Sequence, residues 1–378
     1  MNIIEFKGFI RDISYDPQLT TELNEIPIND FNVNTCPPYG IISLDEHNKI
    51  AYSKWVSPKR TRSYPFARIY NTLGTNFKKI TIIPIMKDEG ADSSNNDRIN
   101  AITFSWMNLL NIYIILSWYE DADRTERKGK SNLITNQKMN NEHILKKIKE
   151  IKKYKMTALH WNTTHFENEF EEIYKNAVNS YSKISISKNV KLHSFKKHIN
   201  VLEQFKDNGK FSIKKFKEYT LKRSKEAQKR ELMTIHELEH LSDGCKGLFI
   251  LSNYLGGKYY LTCDEVYIEN GIFIIQESKN TKGKLPSIDD IKDGLFKLAL
   301  YSNIEKLEYM GNEIKFKTRL KLTGNLDGTI KLPSDDGKID KFIQNNNLLK
   351  RHTQIIKELQ KEAEINNIEI IIEGNKNG

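Results

Sequence analysis

The dipeptide Asn270-Gly271 joins two segments, residues 258–268 and 272–279, whose β-branched and aromatic content is typical of strands. Asn-Gly is among the strongest short signals for a two-residue β-hairpin, because both turn positions need the positive φ that these residues tolerate. A turn of this length also fixes the pairing register, so that Glu269 faces Ile272. We therefore expect an antiparallel hairpin with one defined set of opposed side chains.

Two carboxylates meet across this hairpin. Stepping back from the turn along both strands places Asp264 directly opposite Glu277, on one face of the sheet. Directly opposed residues have Cβ atoms about 4.5 to 5.5 Å apart, and Lys279, two residues beyond Glu277, shares their face. Glu265 points to the other face. The register thus predicts a cluster of two acids and one lysine.

Such a cluster is suited to metal-assisted chemistry on a phosphodiester. Like charges opposite each other destabilise a sheet, and Mg²⁺, which takes one or two carboxylates with phosphate oxygens and water, would offset the repulsion. The ion polarises the phosphodiester and helps to generate hydroxide. A lysine can orient or deprotonate the attacking water, or neutralise charge on the phosphate. We predict Asp264, Glu277 and Lys279 as catalytic residues, with Asp264 and Glu277 as ligands of Mg²⁺, which Mn²⁺ can replace.

The alternative for these residues is an exposed edge hairpin in which Glu277 and Lys279 are ordinary solvated charges. The apolar residues expected on the opposite side of both strands, including Cys263 and Ile274, favour a buried hairpin instead.

The charge balance agrees with a polyanionic partner. The chain has 59 Lys and Arg against 49 Asp and Glu, a formal charge of +10, which suits DNA or RNA. The abundance of Lys, Asn and Ile also fits the bias of an AT-rich genome. Basic and aromatic residues interleave between Lys54 and Tyr70, and the basic ones can hold phosphates or read guanine. The predicted DNA contacts are Lys59, Arg60, Arg62 and Arg68.

Other features bear on the compartment. Three widely spaced cysteines with no CxxC pair support neither a disulfide framework nor a cysteine-rich zinc site. The beginning of the sequence does not have the pattern of a secretory signal, and the longest apolar run, residues 109–118, is about half the ~20 residues that a membrane span needs. We expect a soluble, cytoplasmic protein without a membrane partner.

The remaining pattern predicts a mixed α/β (α+β) fold, with a central mixed sheet flanked by helices and an N-terminal α/β region. A domain boundary is expected near 208, giving an N-terminal recognition region (1–208) and a nuclease domain (209–378). Further strands are predicted at 79–86, 112–118, 247–252, 314–322 and 368–372. Helices are predicted at 98–109, 141–154, 287–301 and 338–363, one or two long helices at 211–241, and an exposed loop at 120–132.

One pattern in the sequence resembles the motif of PD-(D/E)XK nucleases: Asp264 is followed, after twelve residues, by Glu277-Ser278-Lys279 on a strand. Cys263 stands in place of the usual proline. Residues 284–294, and upstream 63–70 and 81–84, look like type II restriction endonucleases with this core. The resemblance implies a Mg²⁺-dependent endonuclease that cuts specific sites in double-stranded DNA, and a cognate DNA methyltransferase that protects the host. It also implies a further acidic metal ligand on the preceding helix, Glu237 or Glu239. Cutting both strands makes a homodimer the default expectation.

Three other functions remain open. One is a DNA repair or mobile-element nuclease of the same superfamily, and another is a basic DNA-binding protein with a decayed site. The third is a zinc metallopeptidase, because His236-Glu237-Leu238-Glu239-His240 satisfies HExxH, which places two histidines on one helical face with Glu237 as general base. Against the peptidase, Glu239 puts a charge inside the motif, and no third ligand follows at a recognisable spacing.

Overall fold

The computed structural model describes residues 4–55, 65–86, 99–126, 133–234 and 245–374 of the 378-residue chain. The fold is mixed α/β, with a large mixed sheet flanked by helices. The chain divides into two compact units. We call Leu23–Arg223 the N-terminal unit, and Met1–Glu22 together with Ser224–Gly378 the C-terminal unit.

The described residues form eighteen strands and nine helices. The strands are β1 (Ile4–Ile10), β2 (Glu25–Pro27), β3 (Tyr39–Ser43), β4 (Lys49–Lys54), β5 (Lys78–Pro84), β6 (Ile112–Ser117), β7 (Tyr119–Arg124), β8 (Ile134–Met139), β9 (Lys206–Asp207), β10 (Lys210–Phe211), β11 (Cys245–Asn253), β12 (Lys258–Glu269), β13 (Ile272–Asn280), β14 (Ile304–Tyr309), β15 (Asn312–Glu313), β16 (Phe316–Gly324), β17 (Thr329–Leu332) and β18 (Glu369–Gly374). The helices are α1 (Pro65–Leu73), α2 (Ala101–Leu109), α3 (Asn141–Lys153), α4 (Ala158–Ser187), α5 (Phe195–Glu203), α6 (Ile213–Thr234), α7 (Ile288–Tyr301), α8 (Asp336–Asn345) and α9 (Lys350–Asn366).

The C-terminal unit is built on the large sheet. In its described residues the sheet has nine strands in the order β15-β14-β1-β11-β12-β13-β16-β18-β17. The pairs β11/β12 and β12/β13 are antiparallel, whereas β13/β16 and β16/β18 are parallel. Helix α7 packs on β13 and β16, and α9 packs on β17 and β18. The predicted hairpin is therefore an interior element, and the alternative of an edge hairpin is wrong.

The N-terminal residues belong to this sheet, which the predicted division at 208/209 did not anticipate. Strand β1 pairs parallel with β11 and antiparallel with β14. After β1, the chain is held by the buried carboxylate of Glu362 on α9, which accepts hydrogen bonds from the Tyr15 hydroxyl at 2.6 Å and from the Leu19 backbone amide at 3.0 Å. Pairing between strands more than 200 residues apart leaves no local signal.

The predicted helix at 338–363 is two helices. Helix α8 ends at Asn345, and Asn347 adopts a left-handed conformation with φ of 46°. Asparagine tolerates this region better than most residues. The Asn346 side chain bonds the Asp327 backbone, with 2.6 Å between its Oδ1 and the Asp327 amide nitrogen. The three consecutive asparagines at 345–347 were the signal for this break.

The N-terminal unit contains a second sheet, in the order β2-β3-β4-β5-β6. Strands β5 and β6 pair in parallel, and their buried residues are mostly apolar, as is usual in parallel sheets, with Thr81 and Ser117 as the polar exceptions. The predicted loop at 120–132 was wrong in its first part, because Tyr119 and Ala122 are buried and β7 pairs with β8. The 30-residue helix α4, which covers β6 and β7, was not predicted.

Within the described residues, no helix combines the length and apolar character needed to cross a membrane.

Candidate active site

The hairpin turn and its register agree with the sequence prediction. Asn270 and Gly271 both have positive φ, 51° and 76°. The paired residues run from Glu269 opposite Ile272 to Glu265 opposite Gln276, and the next step in this register brings Asp264 to the level of Glu277. The hairpin geometry is thus confirmed, and the chemical roles of its side chains stay predictions.

Asp264 lies at an irregularity in β12. Between the pairs Gly247/Cys263 and Cys245/Val266, two residues of β12 oppose one of β11, which makes a β-bulge at 264–265. Bulges are common next to active sites, where they re-aim a side chain. Asp264 is exposed, and its Oδ2 accepts a hydrogen bond of 2.8 Å from the backbone amide of Ser278. This contact holds the Asp264 carboxylate against the strand that carries Glu277.

Glu265 contacts side chains on the other face of the hairpin from Glu277. Its Oε2 accepts a hydrogen bond of 2.6 Å from Gln276 Nε2, and Gln276 Oε1 accepts one from the Tyr267 hydroxyl at 3.3 Å. Since Gln276 and Glu277 are consecutive in β13, their side chains point to opposite faces. Glu265 is therefore on the face away from Glu277, as predicted.

Glu277 is the centre of the cluster. Only 2% of its side chain is exposed. Its Oε1 accepts hydrogen bonds from Lys297 Nζ at 2.7 Å and from Lys279 Nζ at 3.1 Å. Its Oε2 is buried and has no hydrogen-bond partner among the described residues. A buried carboxylate oxygen without a partner is costly, which makes Oε2 the one atom of this carboxylate that is available to a ligand.

Helix α7 supplies the second half of the cluster. Lys297 comes from this helix, and so does Asp293, whose Oδ2 lies 3.0 Å from Lys279 Nζ. The two residues are four apart, so they lie on the same helical face. Gly294 lets the helix approach closely, because a Cβ there would lie 2.8 Å from Leu320 Cδ1 and 3.3 Å from Lys279 Cε. Sequence reasoning missed Asp293 and Lys297, although their i, i+4 spacing on the helix after the hairpin was a usable signal.

Burial and charge both act on these groups. Burial raises the pKa of the Glu277 carboxyl, as does the negative charge of Asp264, and the Lys297 and Lys279 ammoniums oppose the rise. Burial disfavours the charged form of Lys279, but the carboxylates of Glu277 and Asp293 outweigh it and raise the Lys279 pKa. Glu277 raises the pKa of Lys297 in the same way, against its burial. Both lysines are therefore held as ammonium ions at neutral pH.

The two carboxylates are a donor set that Mg²⁺ can use. The described residues contain no group of three or more His, Cys, Asp and Glu that could hold a metal ion. They do bring the Asp264 carboxylate close enough to raise the pKa of Glu277, whose Oε2 has no partner in the same residues. Mg²⁺ keeps several waters and is bound by one or two carboxylates plus substrate phosphate oxygens, so these two residues would hold it.

Several predicted site residues lie outside the described part of the chain. They are the acids Glu237 and Glu239, the HExxH histidines His236 and His240, and the basic residues Lys59, Arg60 and Arg62. Arg68 is described. It is buried, 9% exposed, and its Nη1 donates a hydrogen bond of 2.5 Å to the backbone oxygen of Lys54. This contact stabilises the unit internally, and a role of Arg68 in DNA binding stays a prediction.

Comparisons with protein-family models, with curated proteins and with solved structures gave no match to this chain.

Proposed function

We propose that this chain is a Mg²⁺-dependent endonuclease of double-stranded DNA, with Asp264, Glu277 and Lys279 as the PD-(D/E)XK residues of a type II restriction enzyme. One observation carries the proposal. A buried carboxylate has one oxygen held by two lysines, its other oxygen has no partner in the described residues, and the charge of the Asp264 carboxylate acts on it from the neighbouring strand. A structural ion pair needs no such spare oxygen.

Each residue has a distinct role in this proposal. Glu277 Oε2 and the Asp264 carboxylate would hold the metal ion, which would polarise a phosphodiester and help to activate water for attack. Lys279 donates to the phosphate and neutralises the charge that develops on it. We assign it the role of a cation, in keeping with the Glu277 and Asp293 carboxylates, which raise its pKa. Lys297 fixes the orientation of Glu277 through Oε1.

The proposal includes partners. A restriction enzyme cuts both strands of a duplex, so we propose a homodimer that brings two copies of the site to the DNA. It must also spare its host, so we propose a cognate DNA methyltransferase. A third acidic ligand from Glu237 or Glu239 would complete the site.

The test is cleavage of plasmid or phage DNA by the purified protein. We expect discrete fragments with Mg²⁺ or Mn²⁺, no cleavage in EDTA, and no requirement for zinc. Sequencing the fragment ends then gives the recognition site and the cut position. As a readout independent of activity, Mg²⁺ should raise the thermal unfolding midpoint of the wild type and not that of Glu277→Ala, because a ligand that binds only the folded state stabilises it.

Two results would contradict the proposal. One is intact DNA under all metal conditions from protein that unfolds cooperatively. The other is stoichiometric zinc that is lost in the His236→Ala, His240→Ala double variant, together with peptide hydrolysis, which would favour the metallopeptidase.

A further inference from the structure

The positive charge of this chain is concentrated in one segment. Between Lys188 and Arg223 there are eleven Lys and Arg against three Asp and Glu, which gives +8 of the formal +10. The rest of the chain is nearly balanced, with 48 basic and 46 acidic residues. The bias of an AT-rich genome would spread lysines along the whole sequence, so it does not explain this concentration.

The segment is a well-packed scaffold within the N-terminal unit. Helix α5, the β9–β10 hairpin and the first part of α6 follow one another along the chain. Phe205 and Phe216 stack edge-on at 5.3 Å between ring centroids, and both pack against Phe170 of α4. Ser194 caps α5 by accepting a hydrogen bond from the Lys197 amide. The basic side chains therefore extend from a fixed framework.

Helices α5 and α6 line an open groove of about 530 Å³. We call it the α5–α6 groove. Its polar wall carries two ammoniums and two amides, and an aromatic ring of α6 forms part of the other wall, with the Arg223 guanidinium 5.8 Å from the ring centroid. The residues that carry these groups are Lys196, Lys197, Asn200, Gln204 and Tyr219.

The lysines of the groove are available to a ligand. Lys196 and Lys197 are exposed, and neither makes an ion pair with an acidic residue in the described ranges. Both lie in the first turn of α5, where the helix dipole favours a negative charge. The cationic face of α3 differs, because Glu142 and Glu150 interrupt it and Glu150 pairs with Lys147 at 2.7 Å.

We propose that the α5–α6 groove binds the phosphate backbone of duplex DNA. The proposal rests on the proposed function, since it assigns to the N-terminal unit a surface that holds the substrate. Lysines contact phosphates as point charges, and amides such as those of Asn200 and Gln204 donate to phosphate and sugar oxygens. Contacts of this kind set affinity and position without reading sequence.

The experiment measures binding of the full-length Lys196→Ala, Lys197→Ala variant to a fluorescein-labelled DNA duplex in EDTA, by anisotropy over a series of KCl concentrations. Each phosphate contact contributes a slope of about −0.9 in log affinity against log salt, so losing two should make the slope shallower by about 1.8. We expect affinity at low salt to fall by about tenfold or more. The matched control is Lys357→Ala, Lys361→Ala on α9, which removes the same charge from exposed positions.

The outcomes separate the groove from the cutting site. An unchanged slope, an equal loss in the α9 control, or tighter binding of RNA than of duplex DNA of the same length would overturn the groove. If the wild type cleaves DNA and the groove variant binds normally, the groove fails and the nuclease stands. If the salt slope changes as expected but no metal supports cleavage, the groove stands and the nuclease fails.

Discussion

Two buried ionic clusters lie on opposite faces of neighbouring strands in the large sheet, and they differ in how completely they are paired. On one face, Glu277 of β13 has two lysines on Oε1 and none on Oε2. On the other, Arg319 of β16 donates from Nε to Glu369 Oε2 at 2.9 Å and from Nη2 to Glu269 Oε2 at 2.5 Å. Its Nη1 also donates to the Tyr267 hydroxyl.

The comparison separates the burial of a charge from the satisfaction of its hydrogen bonds. The Arg319 side chain is 4% exposed and Glu277 is 2% exposed, so both are desolvated. Buried charges are stable only when their remaining donors or acceptors are satisfied. The Arg319 cluster meets this condition within the protein. The Glu277 cluster does not, and we infer that its unsatisfied oxygen is kept for a ligand.

The largest loss of cleavage is expected when the Glu277 cluster, whose carboxylate has an unpartnered oxygen, is disrupted. We expect Glu277→Ala and Lys279→Ala each to lower the cleavage rate by about 10³-fold, the upper end of the effect of removing one preorganised electrostatic group. DNA affinity should change little, since charge elsewhere supplies binding. Single-turnover cleavage and anisotropy on the same preparations measure the two effects. Near-normal cleavage by Glu277→Ala would move the site elsewhere.

A second experiment tests which acid of β12 belongs to which face. Asp264→Asn should lower cleavage by about 10²-fold, because it weakens a metal ligand. Glu265→Gln should leave cleavage within about twofold, since its hydrogen bond to Gln276 has a neutral equivalent and such changes usually cost little. The two variants are matched in size and charge change.

The bulge makes this result informative either way. If Asp264→Asn stays active and Glu265→Gln is dead, the irregularity at 264–265 presents the other carboxylate to the metal in the working enzyme. The assignment of Asp264 would then be wrong, while the nuclease proposal would survive.

Much of the hairpin was predictable because its determinants are local. Asn270-Gly271 fixes the turn, and the period of two along each strand then assigns Asp264 and Glu277 to one level. Strands β5, β6, β11 and β18 were predicted for the same reason, since short apolar runs bounded by turn residues identify them. The resemblance to a nuclease motif rested on the same few residues.

The features that could not be predicted from the sequence depend on contacts between distant segments. The pairing of β1 with β11, the contact of Lys297 with Glu277 and the bulge at Asp264 all require the packed sheet. Helix α4 was missed because its polar face interrupts the apolar pattern, although Phe166, Phe170 and Ile173 lie at helical spacing. The unpartnered Oε2 of Glu277 is a property of packing alone.

A third, smaller effect concerns the lysine that holds Glu277 from α7. Burial already raises the Glu277 pKa, and Lys297 is the strongest group opposing the rise. A proton competes with the metal for this carboxylate, so cleavage at subsaturating Mg²⁺ should fall as the pH is lowered towards the raised pKa. In Lys297→Met the pKa rises further, and the loss should begin at a higher pH, with a rate about tenfold lower near neutrality.

The measurement is the pH profile of single-turnover cleavage. Lys297→Arg, which restores the charge, should move the acid limb back towards that of the wild type, and Lys357→Met on α9 should leave it in place. An acid limb that is unchanged in Lys297→Met would show that Lys297 does not set the protonation of Glu277.

The smallest effect on cleavage is expected from the paired cluster. Arg319→Met removes the cation that Glu369 and Glu269 share, and breaking a buried pair on one side typically costs about 3 kcal/mol of unfolding free energy. Exposure of Glu269 reduces this cost, because its side chain is 47% exposed and keeps contact with water. Cleavage by the folded variant should stay within about twofold of the wild type, since Arg319 lies on the face away from Asp264 and Glu277. Urea unfolding and cleavage on the same preparation compare the two quantities. A variant that is as stable as the wild type yet inactive would mean that the Arg319 cluster, and not only the Glu277 cluster, takes part in function.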